Sequence, residues 1–145
     1  MIQNQPTLRY VTDLIEDAGP LVALATGLES IKSPTALVAA CDLPSLQLPL
    51  LRFLVQRTSS AVPLVVPVHE GTPQFLCSDW RRELLPVIHK LIRNGARSVS
   101  AALNTIPYEL IQPETYSHLD AIGQSFINVN TPKQLSTARA FTEGA

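Results

Sequence analysis

The chain has 145 residues, 46% of them hydrophobic and 16% charged, with 11 Lys+Arg against 12 Asp+Glu. That is one domain's worth of chain with enough apolar material for a core, and it excludes both a disordered segment and a protein that holds nucleic acid or an anionic membrane through a basic face. Its 12 prolines, roughly 8% against a usual ~5%, mean a chain of short elements that turns often.

In chain order, the first apolar run is Leu8 to Val11, a strand candidate that ends near Asp13. A helix follows Gly19-Pro20, because Leu21, Leu24, Ala25 and Leu28 recur at i, i+3, i+4 and i+7. Ala36 to Cys41 is continuously apolar, as in a strand buried on both faces, and it stops at Asp42-Leu43-Pro44-Ser45. The next helix is expected from about Leu46 to Arg57, with Pro49 tolerated in its first turn.

A second strand is expected over Pro63 to Val68, followed by a turn at His69-Glu70-Gly71-Thr72-Pro73. Asp79 is placed to cap a helix running to Arg93, which Asn94-Gly95 stops. A short helix over Ser98 to Leu103, a strand near Tyr108 to Ile111 and a polar loop through Asp120 come next. Phe126 to Asn130 reads as a last strand. Thr131-Pro132-Lys133-Gln134 is a capping box with proline at the first helical position. Strands alternating with helical patterns define one α/β domain over 1–145 with a mostly parallel sheet.

Cys41 and Cys77 have no C-x-x-C spacing, so neither a disulfide framework nor a zinc site is indicated. The first six residues lack the basic and apolar regions of a signal peptide, and no apolar run is long enough to span a bilayer. A cytoplasmic monomer is the expectation.

In an open α/β sheet, ligands bind beyond the carboxyl ends of the strands. Asp42 occupies such a position, where a carboxylate can hold Mg²⁺ against a phosphate or simply cap the turn it begins. Asn128 and Asn130 are two apart, so on a strand both would face one side and could read the edge of a heterocycle. Terminating a loop is their plainer role. Asp13 is a second strand-end carboxylate. His69, His89 and His118 have no metal-site spacing. Trp80-Arg81-Arg82 reads as the edge of an amphipathic helix start, or as a contact for a phosphate or aromatic ring. No G-x-x-x-x-G-K-[ST] or G-x-G-x-x-G motif occurs.

Four pieces in order carry a family resemblance: Gly19-Pro20-Leu21; Ala40-Cys41-Asp42-Leu43-Pro44; Gly71-Thr72-Pro73-Gln74-Phe75-Leu76 leading into Arg82-Glu83-Leu84-Leu85-Pro86; and Asn128-Val129-Asn130-Thr131-Pro132. Together they resemble the molybdenum cofactor guanylyltransferase (MobA) family. The resemblance runs from about Val11 to the C-terminus. It implies a three-layer nucleotidyltransferase-like, Rossmann-like fold. It also implies Mg²⁺-dependent transfer of GMP from GTP to Mo-molybdopterin, with pyrophosphate released and the guanine dinucleotide cofactor formed.

Carried over residue by residue, it places Asp42 on the family's magnesium-binding aspartate, which also contacts GTP, and Asp13 on an aspartate of the GTP site. Asn128 and Asn130 fall on asparagines associated with the molybdopterin. Ala23 stands where many members have glycine. The family's opening strand and glycine-rich nucleotide loop have no counterpart in residues 1–20, so a domain truncated at its N-terminal strand, with exposed apolar surface, is expected. Two alternatives remain open: a non-catalytic molybdopterin-binding module that docks on cofactor-assembly proteins, and a related transferase using another nucleotide such as CTP.

Overall fold

The structure, a computed structural model, describes residues 8–13, 18–131 and 134–136. Among the described residues the helices and strands in chain order are α1 Pro20–Ser30, β1 Thr35–Ala39, α2 Leu48–Arg57, β2 Leu64–His69, β3 Thr72–Pro73, β4 Cys77–Arg81, α3 Leu85–Arg93, β5 Glu109–Ile111 and α4 Pro113–Tyr116. Single 3-10 segments occupy Arg82–Leu84, Val99–Asn104 and Gln124–Phe126.

The main sheet runs β1-β4-β2-β5. Strand β4 is antiparallel to both β1 and β2, while β5 is parallel to β2. Strands β1, β2 and β5 point one way, but because β4 lies between two of them only the β2–β5 pairing is parallel, so the sheet is mixed rather than mostly parallel as expected. Successive side chains along a strand face opposite sides, which divides the interior into two cores. Leu64, Val66 and Trp80 pack with Leu21, Leu24 and Leu28 of α1 and Ile88 of α3. Val65, Cys77 and Ile111 pack with Leu50 and Leu54 of α2 and with Tyr116 and Phe126. The three layers of the expected fold are present.

The helix signals in the sequence act where they stand. Proline occupies the first turn of α1, α2, α3 and α4, where its missing N–H leaves no vacancy in the ladder. Gly19, just before α1, has φ 89° and could not carry a side chain, since a Cβ would lie 2.9 Å from the Arg97 carbonyl oxygen. The Thr131 capping box forms. The Gln134 N–H donates to the Thr131 hydroxyl at 3.2 Å, and Gln134 Oε1 accepts the Asn130 N–H at 2.9 Å.

Three expectations are corrected. Cys77–Arg81 is a central strand, so Asp79 caps no helix and Trp80 is fully buried rather than on a helix edge. The helix beyond begins only at Leu85. Residues 127–130 belong to no ladder, and Leu8 to Val11 forms no strand either. Leu8, Tyr10 and Val11 are exposed, and β1 is half-buried because it pairs with β4 alone among the described strands. Exposed large apolar side chains are spread over the described residues, with Leu48, Val55, Leu76, Tyr108, Ile122 and Ile127 exposed as well as those of the arm before α1.

Asp79 is the anomaly of the core. It has no exposed surface and neither carboxylate oxygen has a hydrogen-bond partner. Burial pushes its pKa above the ordinary 3.8, and the Thr58 hydroxyl and Arg81 guanidinium nearby only moderate the rise. Above pH 3.8 the unfolded chain releases a proton that the folded protein retains, so stability falls as pH rises through the window up to the raised value. Asp79→Leu is expected to stabilise the protein at neutral pH by about 1–3 kcal/mol, the usual cost of a buried unsatisfied polar group. Thermal melts of both proteins should show that gain shrinking as pH drops below the carboxylate range. A gain that stays constant with pH would show that Asp79 has the same pKa in the folded and unfolded chain, against the raised value.

Candidate functional site

Proline at position 67 cannot donate to a ladder, and opposite it the pairing of β2 with its neighbour breaks. Val68 pairs with Pro73 and Val65 with Asp79, so residues 74–78 stand opposite only Val66 and Pro67. One bond crosses the break, from the Gln74 N–H to the Pro67 carbonyl at 2.8 Å. Residues 74–76 are thereby released from the sheet as a bulge, a device that re-aims side chains beside functional sites. The hairpin before the bulge turns through Glu70 (φ 48°) and Gly71 (φ 75°), two left-handed residues as a tight β-hairpin requires.

The bulge forms one wall of a cleft of 270 Å³ lined by Pro73, Gln74, Phe75, Leu76, Ala40, Asp42, Leu43 and Asn128. It lies just past the carboxyl end of β1, where ligands bind to sheets of this kind. Asp42 follows the turn out of β1, and its Oδ1 is buried without a partner. Asn128 is exposed on the other wall. Two candidate residues distant in the sequence, Asp42 and Asn128, thus share one site. Asp13, half-buried in the arm before α1, and Asn130, exposed and engaged by Gln134 through its N–H, lie outside the lining.

An unpartnered buried oxygen suits a cation or a hydrogen-bond donor. Mg²⁺ needs only one or two protein carboxylates, because it keeps several waters and takes its remaining ligands from phosphates, so Asp42 alone is an adequate protein donor. Among the described residues no three His, Cys, Asp or Glu side chains gather to hold a metal by themselves. Cys77 is inert, since burial pushes its thiol up to about 12, whereas Cys41 is exposed beside Asp42.

The sequence reading missed the bulge residues and a polar network behind the cleft. Asp120 Oδ1 and Oδ2 accept the Gln124 and Ser125 N–H groups at 2.8 and 3.0 Å, and the Ser125 hydroxyl accepts the Gln47 N–H at 2.9 Å. The Val129 N–H donates to the Asp42 carbonyl at 2.9 Å. Gly123 was the available signal. It is left-handed (φ 66°), and a Cβ there would lie 2.3 Å from His69 Cε1, the ring that stacks on Phe126 at 4.7 Å.

A three-layer α/β domain with a cleft past the carboxyl end of a strand is the architecture that the family resemblance implies. The chain belongs to the MobA-like NTP transferase domain family, whose pattern its residues 2–106 match. It is 29% identical over 129 residues to the molybdenum cofactor guanylyltransferase of Desulfosudis oleivorans, covering 89% of this chain and 64% of that protein. A probable molybdenum cofactor guanylyltransferase of Nostoc sp. is 32% identical over 122 residues, covering 81% and 55%. The fold matches the solved molybdopterin-guanine dinucleotide biosynthesis protein A of Archaeoglobus fulgidus with a TM-score of 0.73 at 21% identity, covering 88% of this chain and 64% of that one. The chain therefore spans less than two thirds of the length of these relatives.

Gly123→Ala tests the packing behind the cleft. The added methyl must displace His69 and occupy a left-handed conformation, so a loss of about 1–2 kcal/mol is expected. Chemical denaturation measures it, and an unchanged midpoint would remove Gly123 from the account.

Proposed function

We propose that the cleft is the catalytic site of a nucleotidyltransferase that moves GMP from GTP to molybdopterin. The observation that carries this reading is that Asp42, one of whose oxygens is buried without a partner, and Asn128 line one cleft past the end of β1. The family membership and the names of the relatives supply the substrates.

The reaction asks little covalent help of the protein. A terminal phosphate oxygen of the acceptor attacks the α-phosphorus of GTP, the α–β bridging bond breaks, and pyrophosphate leaves. The attacking oxygen is already anionic, so no general base is required, and catalysis consists of positioning and charge neutralisation. Mg²⁺ held at Asp42 would supply part of that neutralisation. Asp42 Oδ1 provides the anchoring oxygen at the end of β1. The Asn128 amide, with donors and an acceptor, orients the pterin edge from the facing wall. Asp13 and Asn130 lie outside the cleft and are assigned to the parts of the nucleoside and pterin that extend beyond it. A nucleotide and a pterin are the partners this reading requires.

Titration calorimetry with Mg²⁺-GTP tests it directly. The wild-type chain is expected to bind in the micromolar range only when Mg²⁺ is present, and Asp42→Ala to lose roughly tenfold or more in affinity. Unchanged Mg²⁺-dependent affinity in that variant would end the assignment of Asp42. Binding of molybdopterin with no binding of Mg²⁺-GTP would replace transfer by pterin binding alone.

A further inference from the structure

We propose that Asp120 is a positioning residue: its buried carboxylate clasps the loop carrying Asn128 onto the turn carrying Asp42, and so sets the separation of the two cleft walls. The proposal rests on the reading of the cleft as the transfer site. Asp120 is 6% exposed, and each of its oxygens is committed to one backbone N–H, that of Gln124 or that of Ser125. Hydrogen bonds to an ionised carboxylate are about twice as strong as neutral ones, so these two fix the 3-10 turn Gln124–Phe126.

That turn delivers the Ser125 hydroxyl to the Gln47 N–H, at the residue preceding α2. Gln47 returns a second bond, its Nε2 donating to Gln124 Oε1 at 3.2 Å. Four residues beyond Ser125, the Val129 N–H meets the Asp42 carbonyl. The loop therefore grips the 42–47 turn at both ends, and Asn128 lies between the two points of grip. Phe126 adds a third restraint, stacked on His69 and edge-on to Tyr116 at 5.9 Å. Asp120 touches neither Asp42 nor Asn128 by hydrogen bond, and it does not line the 270 Å³ cleft. Its effect on a ligand must pass through the loop.

The test is Asp120→Asn in the full chain, with Ser125→Ala as the milder variant should the first fail to fold. Two readouts are needed. By NMR-detected hydrogen exchange, the Gln47 and Val129 amides are expected to lose protection on the order of tenfold, while β2 amides change little. Unchanged protection at Gln47 and Val129, with only Gln124 and Ser125 exposed, would reduce Asp120 to a local turn former and overturn the proposal. In the transfer assay, acceptor KM is expected to rise about tenfold with kcat nearly unchanged, and the effect of Asn128→Ala to be non-additive with Asp120→Asn. A proportional fall in kcat at constant KM, or full additivity, overturns it equally. If the wild-type chain performs no transfer, the exchange measurement still decides the clasp, so failure of the assigned reaction and failure of the clasp remain distinct.

Discussion

The cleft exists because the sheet is interrupted at one place. Between the Val68–Pro73 and Val65–Asp79 pairs five residues of the neighbouring chain stand opposite two of β2, and Pro67 lies in that gap. Proline removes the donor there, and the residues opposite leave the ladder. Gln74, Phe75 and Leu76 then stand out from the end of the sheet beside Asp42. The bulge is itself pinned. The Gln74 N–H reaches the Pro67 carbonyl, the Cys77 N–H reaches the Gln74 carbonyl at 3.0 Å, and Leu76 accepts the Ala40 N–H at 2.8 Å. A single missing N–H is thereby converted into a fixed wall rather than a loose loop.

Much of this was legible in the sequence where local chemistry and tertiary structure agree. Helix α1 shows its apolar face and its Gly19-Pro20 start, and β2 shows an apolar run bounded by turn residues. The Thr131 capping box needs nothing but its own four residues. Asp42 and Asn128 are both identifiable as candidates, the first from its position after an apolar strand and the second from the family resemblance and from its two-residue spacing to Asn130, although the strand assumed for that spacing does not form.

What was not legible involves partners distant in sequence. Cys77-Ser78-Asp79-Trp80-Arg81 carries two polar residues at positions that the fold buries, so its pattern resembles a cap and a helix start. Ser78 is explained by its bonds, since its hydroxyl donates to the Phe75 carbonyl at 2.5 Å and accepts the Trp80 indole N–H at 2.6 Å. Asp79 has no such compensation, and a rule that buried charges are paired would not have put it in a strand. Residues 126–130 mislead the other way. Phe126, Ile127 and Val129 among asparagines imitate an alternating strand, yet the backbone of Val129 finds a single partner in Asp42 instead of a ladder. Asp120 gave no signal at all, because a carboxylate that accepts two nearby N–H groups looks like any polar loop residue.

The two walls of the cleft differ in how they are held. The β1 end and the bulge continue directly from paired strands whose side chains reach into both cores, so displacing them means disturbing the sheet. The 120–131 loop has no ladder and is held by a few side-chain bonds, the backbone bond from Val129 to Asp42 and the ring contacts of Phe126. Segments of that kind open at free energies well below that of global unfolding. A ligand bridging Asp42 and Asn128 would bind only the closed arrangement and would add its binding energy to the loop's own restraints. If the cleft is the transfer site proposed above, recognition there is coupled to the order of one wall, and the residues that decide affinity extend from those touching the ligand to those, such as Ser125 and Gln47, that hold the touching residues in place.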